Sequence, residues 1–97
     1  MYSGDWTTAE KIAHQGAFLF PQNSDILLAY ATVLVNCEKR NDALQIYRRA
    51  YALSPDKAEI VGGLAECCRA IGLVEESIDL HERAIELAPN HPQLFSN

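Results

Sequence analysis

Ninety-seven residues, 48% of them hydrophobic and 22% charged, suffice for one small domain or a piece of a larger one, and exclude a disordered tail or a collagen-like fibre. A formal net charge of -5, with the lysines and arginines scattered, leaves no basic stripe to neutralise phosphates and argues against a nucleic-acid partner. The longest apolar run, residues 26 to 35, is about half of the ~20 residues a membrane span needs, the opening MYSGDW lacks a signal-like basic flank, and three cysteines without scaffold spacing favour a reducing, cytoplasmic setting with no membrane role.

In chain order, the first predicted element is a helix over about 7 to 19. Gly4 and Asp5 read as a turn before it, and Thr7 with Glu10 has the spacing of a capping box, in which two side chains satisfy unpaired N–H groups at a helix start. A second helix is predicted over 24 to 37 and a third over 41 to 53. In the third, Ala43, Ile46, Tyr47, Ala50 and Leu53 fall on one stripe at spacings of three and four, the mark of an amphipathic helix. A fourth is predicted over 58 to 71, with Asp56 and Glu59 as its capping box and Gly72 suited to the left-handed position that ends a helix. The fifth covers 75 to 87, and Asn90 with Gln93 signals the start of a further helix that would contain Leu94 and Phe95. No strand is needed.

These elements repeat. Pro21, Pro55 and Pro89 lie 34 residues apart twice over. The segments leading to them, AEKIAHQGAFLFP, ALQIYRRAYALSP and SIDLHERAIELAP, share one register of small, apolar and charged positions. Small residues recur at Ala9, Ala43 and Ser77, and seven positions later at Gly16, Ala50 and Ala84. A period of this length means one supersecondary unit copied along the chain, each copy using its neighbours to cover an apolar face it cannot bury alone.

The pattern resembles the tetratricopeptide repeat, a 34-residue helix–turn–helix unit. Its first-helix positions fall on Leu27, Tyr30, Ala31 and Leu34, then on Val61, Leu64, Ala65 and Cys68; its second-helix positions fall on Ala43, Tyr47, Ala50 and Pro55, then on Ser77, His81, Ala84 and Pro89. Leu27 and Val61 replace the family's tryptophan, Glu38 its turn glycine, and His81 an aromatic. The resemblance implies an all-α, right-handed superhelical solenoid segment of about five helices plus a C-terminal stub. Residues 1–23 would be the second half of one repeat, 24–57 and 58–91 full repeats, and 92–97 the start of another helix.

Gly62, Gly63, Cys67 and Cys68 form the chain's oddest stretch. Adjacent thiols without a CxxC or a second ligand pair read as core filler, the alternative being a Cys68–His81 dyad, since those positions face each other across one repeat in the family. No cofactor or metal is implied, and His14 and His91 read as solvated. The resemblance places Asp25, Leu28, Thr32, Val35, Asn36, Glu59, Gly62, Glu66 and Arg69 on the concave face that holds partner segments in the family. Gly62 and Gly63 there either let helices pack closely or leave space for a ligand. The family's carboxylate clamp for chaperone tails needs polar or cationic groups where Leu28, Ala29, Thr32 and Gly63 stand, and the asparagine ladder of O-linked N-acetylglucosamine transferase-type repeats is replaced at Ala29 and Gly63.

The expected function is therefore a non-enzymatic protein–protein interaction module holding a peptide or helix of a partner. The alternative is an assembly or regulatory segment of a longer array attached to an enzyme domain, for example a transferase. Uncovered ends at Trp6, Ala9 and Ala13 and at Leu94 and Phe95 would favour self-association. The repeat register predicts that Ala50→Leu and Ala84→Leu each lower stability by about 1–3 kcal/mol in denaturant melts, through overpacking at close helix crossings, while Gln45→Ala costs little. Melts unchanged by both leucines would show the register to be misplaced.

Overall fold

The computed structural model describes residues 3–87, with side chains from residue 7. Five helices fill that range: α1 (Ser3–Leu19), α2 (Ser24–Asn36), α3 (Arg40–Leu53), α4 (Ala58–Ile71) and α5 (Val74–Leu87). Each packs mainly on its neighbours in sequence, and α2 also touches α4. That is the contact pattern of a stack of helical hairpins, in which each layer covers the apolar face of the next. No helix among the described residues is long and apolar enough to cross a membrane.

The elements match the expected ones, with ends displaced by one residue except at α1. That helix begins at Ser3, so the expected turn at Gly4 and Asp5 is helical and Thr7 lies inside the helix, not at its cap. A single glycine costs a helix only about 1 kcal/mol, too little to stop one that has a long run to propagate into. The capping box expected at Asp56 is also absent: α4 starts at Ala58 behind Lys57, with no side-chain cap. Asp56 instead accepts a hydrogen bond from Arg83 at 3.2 Å, so a charged partner on α5 takes the carboxylate that sequence spacing had assigned to the backbone. The side-chain cap that does form is Asn23, whose Oδ1 accepts from the Ile26 amide at 3.1 Å. The expected cap at Asn90, His91, the stub containing Leu94 and Phe95, and the Trp6 side chain lie outside the described residues.

The core follows the repeat register. Leu27, Ala31 and Leu34 of α2, Ala43, Tyr47 and Ala50 of α3, and Leu80 and Ala84 of α5 are buried. α4, flanked by α3 and α5, buries the most: Ile60, Val61, Leu64, Ala65, Cys67 and Cys68. Leu27 and Val61, at the positions where the family carries tryptophan, are both 0% exposed. Burying such a side chain stabilises the fold by roughly 1.5–3 kcal/mol. Ala31, Ala43, Ala50 and Ala65 are also fully buried, as small residues at close helix crossings must be. At Gly16, the upstream counterpart of Ala50, an added Cβ would stand only 3.3 Å from the Ile26 methyl.

The two first helices end alike. After α4, the Leu73 amide reaches back to the Cys68 carbonyl at 2.8 Å across Gly72, whose φ of 109° is left-handed. After α2, the Lys39 amide reaches the Leu34 carbonyl at 2.8 Å across Glu38, at φ 63°. This is the same back-bonded helix ending, built once on glycine and once on a residue whose Cβ disfavours the conformation. Glu38→Gly should therefore stabilise the protein by about 0.5–1 kcal/mol, the ~1–2 kcal/mol of left-handed strain less the backbone entropy glycine adds to the unfolded chain. An unchanged or lowered midpoint in a denaturant melt would show that Glu38 is held there without strain.

Candidate functional site

The expected groove residues lie along one face of each first helix. On α2, Asp25, Leu28, Thr32 and Val35 recur at helical spacing, with Asn36 beside them; on α4, Glu59, Gly62, Glu66 and Arg69 do the same. Leu28 and Val35 are half-buried and pack against the core, while Asp25, Thr32, Asn36, Glu59, Glu66 and Arg69 are exposed. The surface is thus apolar at its base and polar at its rim.

Local hydrogen bonds hold these side chains. The Thr32 hydroxyl donates to the Leu28 carbonyl at 2.9 Å, and the Asn36 amide donates to the Thr32 carbonyl at 3.1 Å. Asp25 pairs with Lys57, a contact that raises the lysine pKa and ties the start of α2 to the start of α4. On α4, Arg69 donates to Glu66 at 2.7 Å, and His81 Nε2 of α5 lies 3.6 Å from the second Glu66 oxygen. Glu66 therefore stands between the Arg69 guanidinium and the His81 ring, so the α4 rim carries a salt bridge that reaches towards α5.

A cavity of about 330 Å³ opens here, lined by Val35, Glu66 and Arg69 from the expected set together with Arg40, Tyr47, Gly63, Cys67 and Ala70. Asp25, Leu28, Thr32, Asn36, Glu59 and Gly62 lie outside its lining. The two glycines separate cleanly. A Cβ on Gly62 would meet nothing within 4 Å, whereas one on Gly63 would stand 2.6 Å from a ring carbon of Tyr47 and 2.9 Å from its hydroxyl. Gly63 is a packing glycine, and what crosses it is an aromatic ring from α3, not a neighbouring first helix. Gly62 faces open space. Burial pushes the Tyr47 phenol pKa up, partly offset by the nearby Thr32 side chain.

The paired thiols are internal. Cys67 donates to the Arg40 carbonyl at 3.2 Å, and Cys68 is 0% exposed. Burial pushes both thiols up, with Glu76 adding to the effect at Cys68, so each is held in the poorly nucleophilic protonated form. His81 meets Glu66 at the opposite edge of α4.

The sequence profile of the tetratricopeptide repeat matches residues 38–96, well over half of the chain. No curated protein sequence matches it. Among solved structures, MamA superposes with a TM-score of 0.86 at 23% identity over 94% of this chain and 53% of the other, so the chain spans about half the length of that protein. The first repeat domain of Spaghetti (RPAP3), bound to the HSP90 peptide SRMEEVD, gives a TM-score of 0.86 at 22% identity over 94% of this chain and 72% of the other. The Yersinia enterocolitica type III secretion chaperone SycD, in complex with a peptide of the translocator YopD, gives 0.83 at 21% identity, covering 94% and 70%. These likenesses establish the shared fold.

The glycine pair gives a matched test. Gly62→Ala should raise stability by about 0.5–1 kcal/mol, the helix-propensity gain at an unobstructed site. Gly63→Ala should lower it by about 1–2 kcal/mol, because the Tyr47 ring must move. In a double-mutant cycle, Tyr47→Leu should recover most of the Gly63→Ala loss; additive effects would mean that the ring and the glycine are independent.

Proposed function

Because the chain belongs to the tetratricopeptide repeat family, we propose that it is a protein-binding module that holds a peptide or helix of a partner along the α2–α4 face. The observation that carries this reading is the pairing of half-buried Leu28 and Val35 with the open space above Gly62, edged by Glu59, Glu66 and Arg69. Apolar anchors at the base and charges at the rim are what a bound segment uses for affinity and for specificity, respectively. Two structural neighbours hold peptides, one from HSP90 and one from YopD, which supports a binding role for the fold. The face here differs in kind from a cationic carboxylate clamp: Leu28 and Gly63 replace groups such a clamp needs, so an apolar or amphipathic segment fits better than a chain terminus. The module carries out no catalysis in this reading, in keeping with two buried, protonated thiols.

A second reading, a link in a longer array that assembles or positions an enzyme domain, is favoured by the exposed apolar side chains of the outermost helices, Ile12 on α1 and Ile78 and Ile85 on α5. The same residues would support association between copies, readable as a mass that rises with concentration in light scattering.

Affinity capture with the intact protein, compared with Leu28→Glu combined with Arg69→Glu, tests the binding reading. The double variant should lose the partner while keeping its helical circular dichroism. Arg69→Glu alone, at an exposed site, should weaken capture by about tenfold without affecting folding. Equal capture by the wild-type protein and both variants would move the binding surface elsewhere.

A further inference from the structure

The 34-residue period lets each position in the α1–α2–α3 layer be compared with its copy in the α3–α4–α5 layer. In the upstream layer a cavity of about 420 Å³ opens, lined by Ala17, Phe18, Tyr30, Ile46 and Arg49, with His14 and Pro21 at its edges. It shares α2 and α3 with the cavity described above, and none of its lining residues.

One period downstream, Ala17 becomes Tyr51 and Arg49 becomes Arg83. Tyr51 is half-buried and packs against both buried clusters. Arg83 donates to the Pro55 carbonyl at 3.3 Å and to Asp56 Oδ1 at 3.2 Å. The downstream layer therefore places an aromatic ring where the upstream layer has a methyl group, and it neutralises its guanidinium with a carboxylate. Upstream, the counterpart of Asp56 is Gln22, and Arg49, although it lines the cavity with Pro21, makes no hydrogen bond or ion pair among the described residues. Its charge acts on the Tyr30 phenol, while the nearby acid Glu10 is taken by Lys39 at 2.8 Å. The same position carries a tyrosine and a carboxylate-paired arginine in one layer, and a methyl group and an arginine without an ion pair among the described residues in the other, with Asp42 as a further acid acting on Tyr30.

We propose that the α1–α2–α3 cavity is a second docking site, for a partner segment that presents an aromatic side chain where Tyr51 sits in the next layer and a carboxylate to Arg49, as Asp56 does to Arg83. The walls suit such a ligand. His14 and Tyr30 meet edge-on, ring centroids 5.7 Å apart and planes at 76°, and Phe18 is 76% exposed beside them, so an incoming ring finds aromatic partners on two sides. An arginine with no counter-ion among the described residues, next to such walls, is of a type that often dominates interface energetics, and it forms short charge-assisted bonds with carboxylates. The chain as a whole is acidic, so an acidic segment depends on this local positive charge to dock.

The chain supplies its own probe, the segment YALSPD of residues 51–56, as an acetylated and amidated peptide. Titrated into the intact nitrogen-15-labelled protein, it should shift the amide signals of Ala17, Tyr30, Ile46 and Arg49 saturably, with a Kd in the range of about 0.1–1 mM for so short a ligand. Peptides with alanine for the tyrosine, or asparagine for the aspartate, should bind at least about fivefold more weakly. Arg49→Gln, at an exposed position, should weaken the parent peptide by about tenfold. Ala17→Tyr combined with Gln22→Asp, which recreates the downstream residues, should abolish binding, whereas Arg69→Glu, at an exposed position of the concave face, should leave it unchanged. Absence of saturable shifts, shifts confined to α2 and α4 groove residues, or an affinity untouched by Arg49→Gln would each overturn the proposal. So would concentration-dependent shifts at these residues without peptide, which would assign the cavity to a second copy of the chain.

Discussion

The stack depends on one close contact, the Tyr47 ring lying across Gly63. It joins α3 to α4, the seam between the two complete hairpins, and leaves no room for even one carbon on the α4 side. Tyr47 is only 6% exposed, so it cannot be relocated without opening the core around Ala43, Leu64 and Cys67. The same ring lines the cavity together with Val35 of α2 and Glu66 and Arg69 of α4, so its contact with Gly63 forms part of the wall of the candidate site.

Much of this was legible in the sequence because it is written in period. The proline spacing, the stripe Ala43–Ile46–Tyr47–Ala50–Leu53 and the left-handed glycine at Gly72 each follow from local geometry, and all five helices appear where those signals put them. That the residues expected in the groove share one side of α2 and of α4 was legible for the same reason, since residues three and four apart on a helix lie on one face. What the sequence did not disclose were pairings between layers. Thr7 and Asp56 had the right spacing for caps, yet α1 runs on through Gly4 and Asp56 is claimed by Arg83, 27 residues away in the chain. Cap signals are local, and they yield when a tertiary partner competes for the same carboxylate. Gly63 and Cys67 joined the candidate site through contacts with Tyr47 and Arg40 of α3 that no spacing within α4 encodes. A comparison of the large Tyr47 with the glycine that follows in the next unit was the one available hint.

Repetition in this chain is a repetition of backbone more than of side-chain chemistry. Glu38 and Gly72 end their helices with the same hydrogen bond at different steric cost; Arg49 and Arg83 occupy the same place, but among the described residues only Arg83 has a carboxylate partner; Gly16, Ala50 and Ala84 mark the same crossing with one carbon more or less. The common register keeps the layers stackable, and the departures from it decide where a layer is closed and where it is left with unfilled space. Surfaces that differ between equivalent layers are where individual binding properties can arise without disturbing the stack.

The central place of α4 also has a consequence for motion. Among the described residues each helix packs mainly on its neighbours in sequence, so cooperativity passes chiefly from layer to layer. α1, which packs mainly on α2, should therefore open more readily than α4, which is held on both faces and pinned through Gly63. The amides of α4 should accordingly exchange with solvent more slowly than those of α1, and the cavity that borders α1 should change shape more readily than the one on α4.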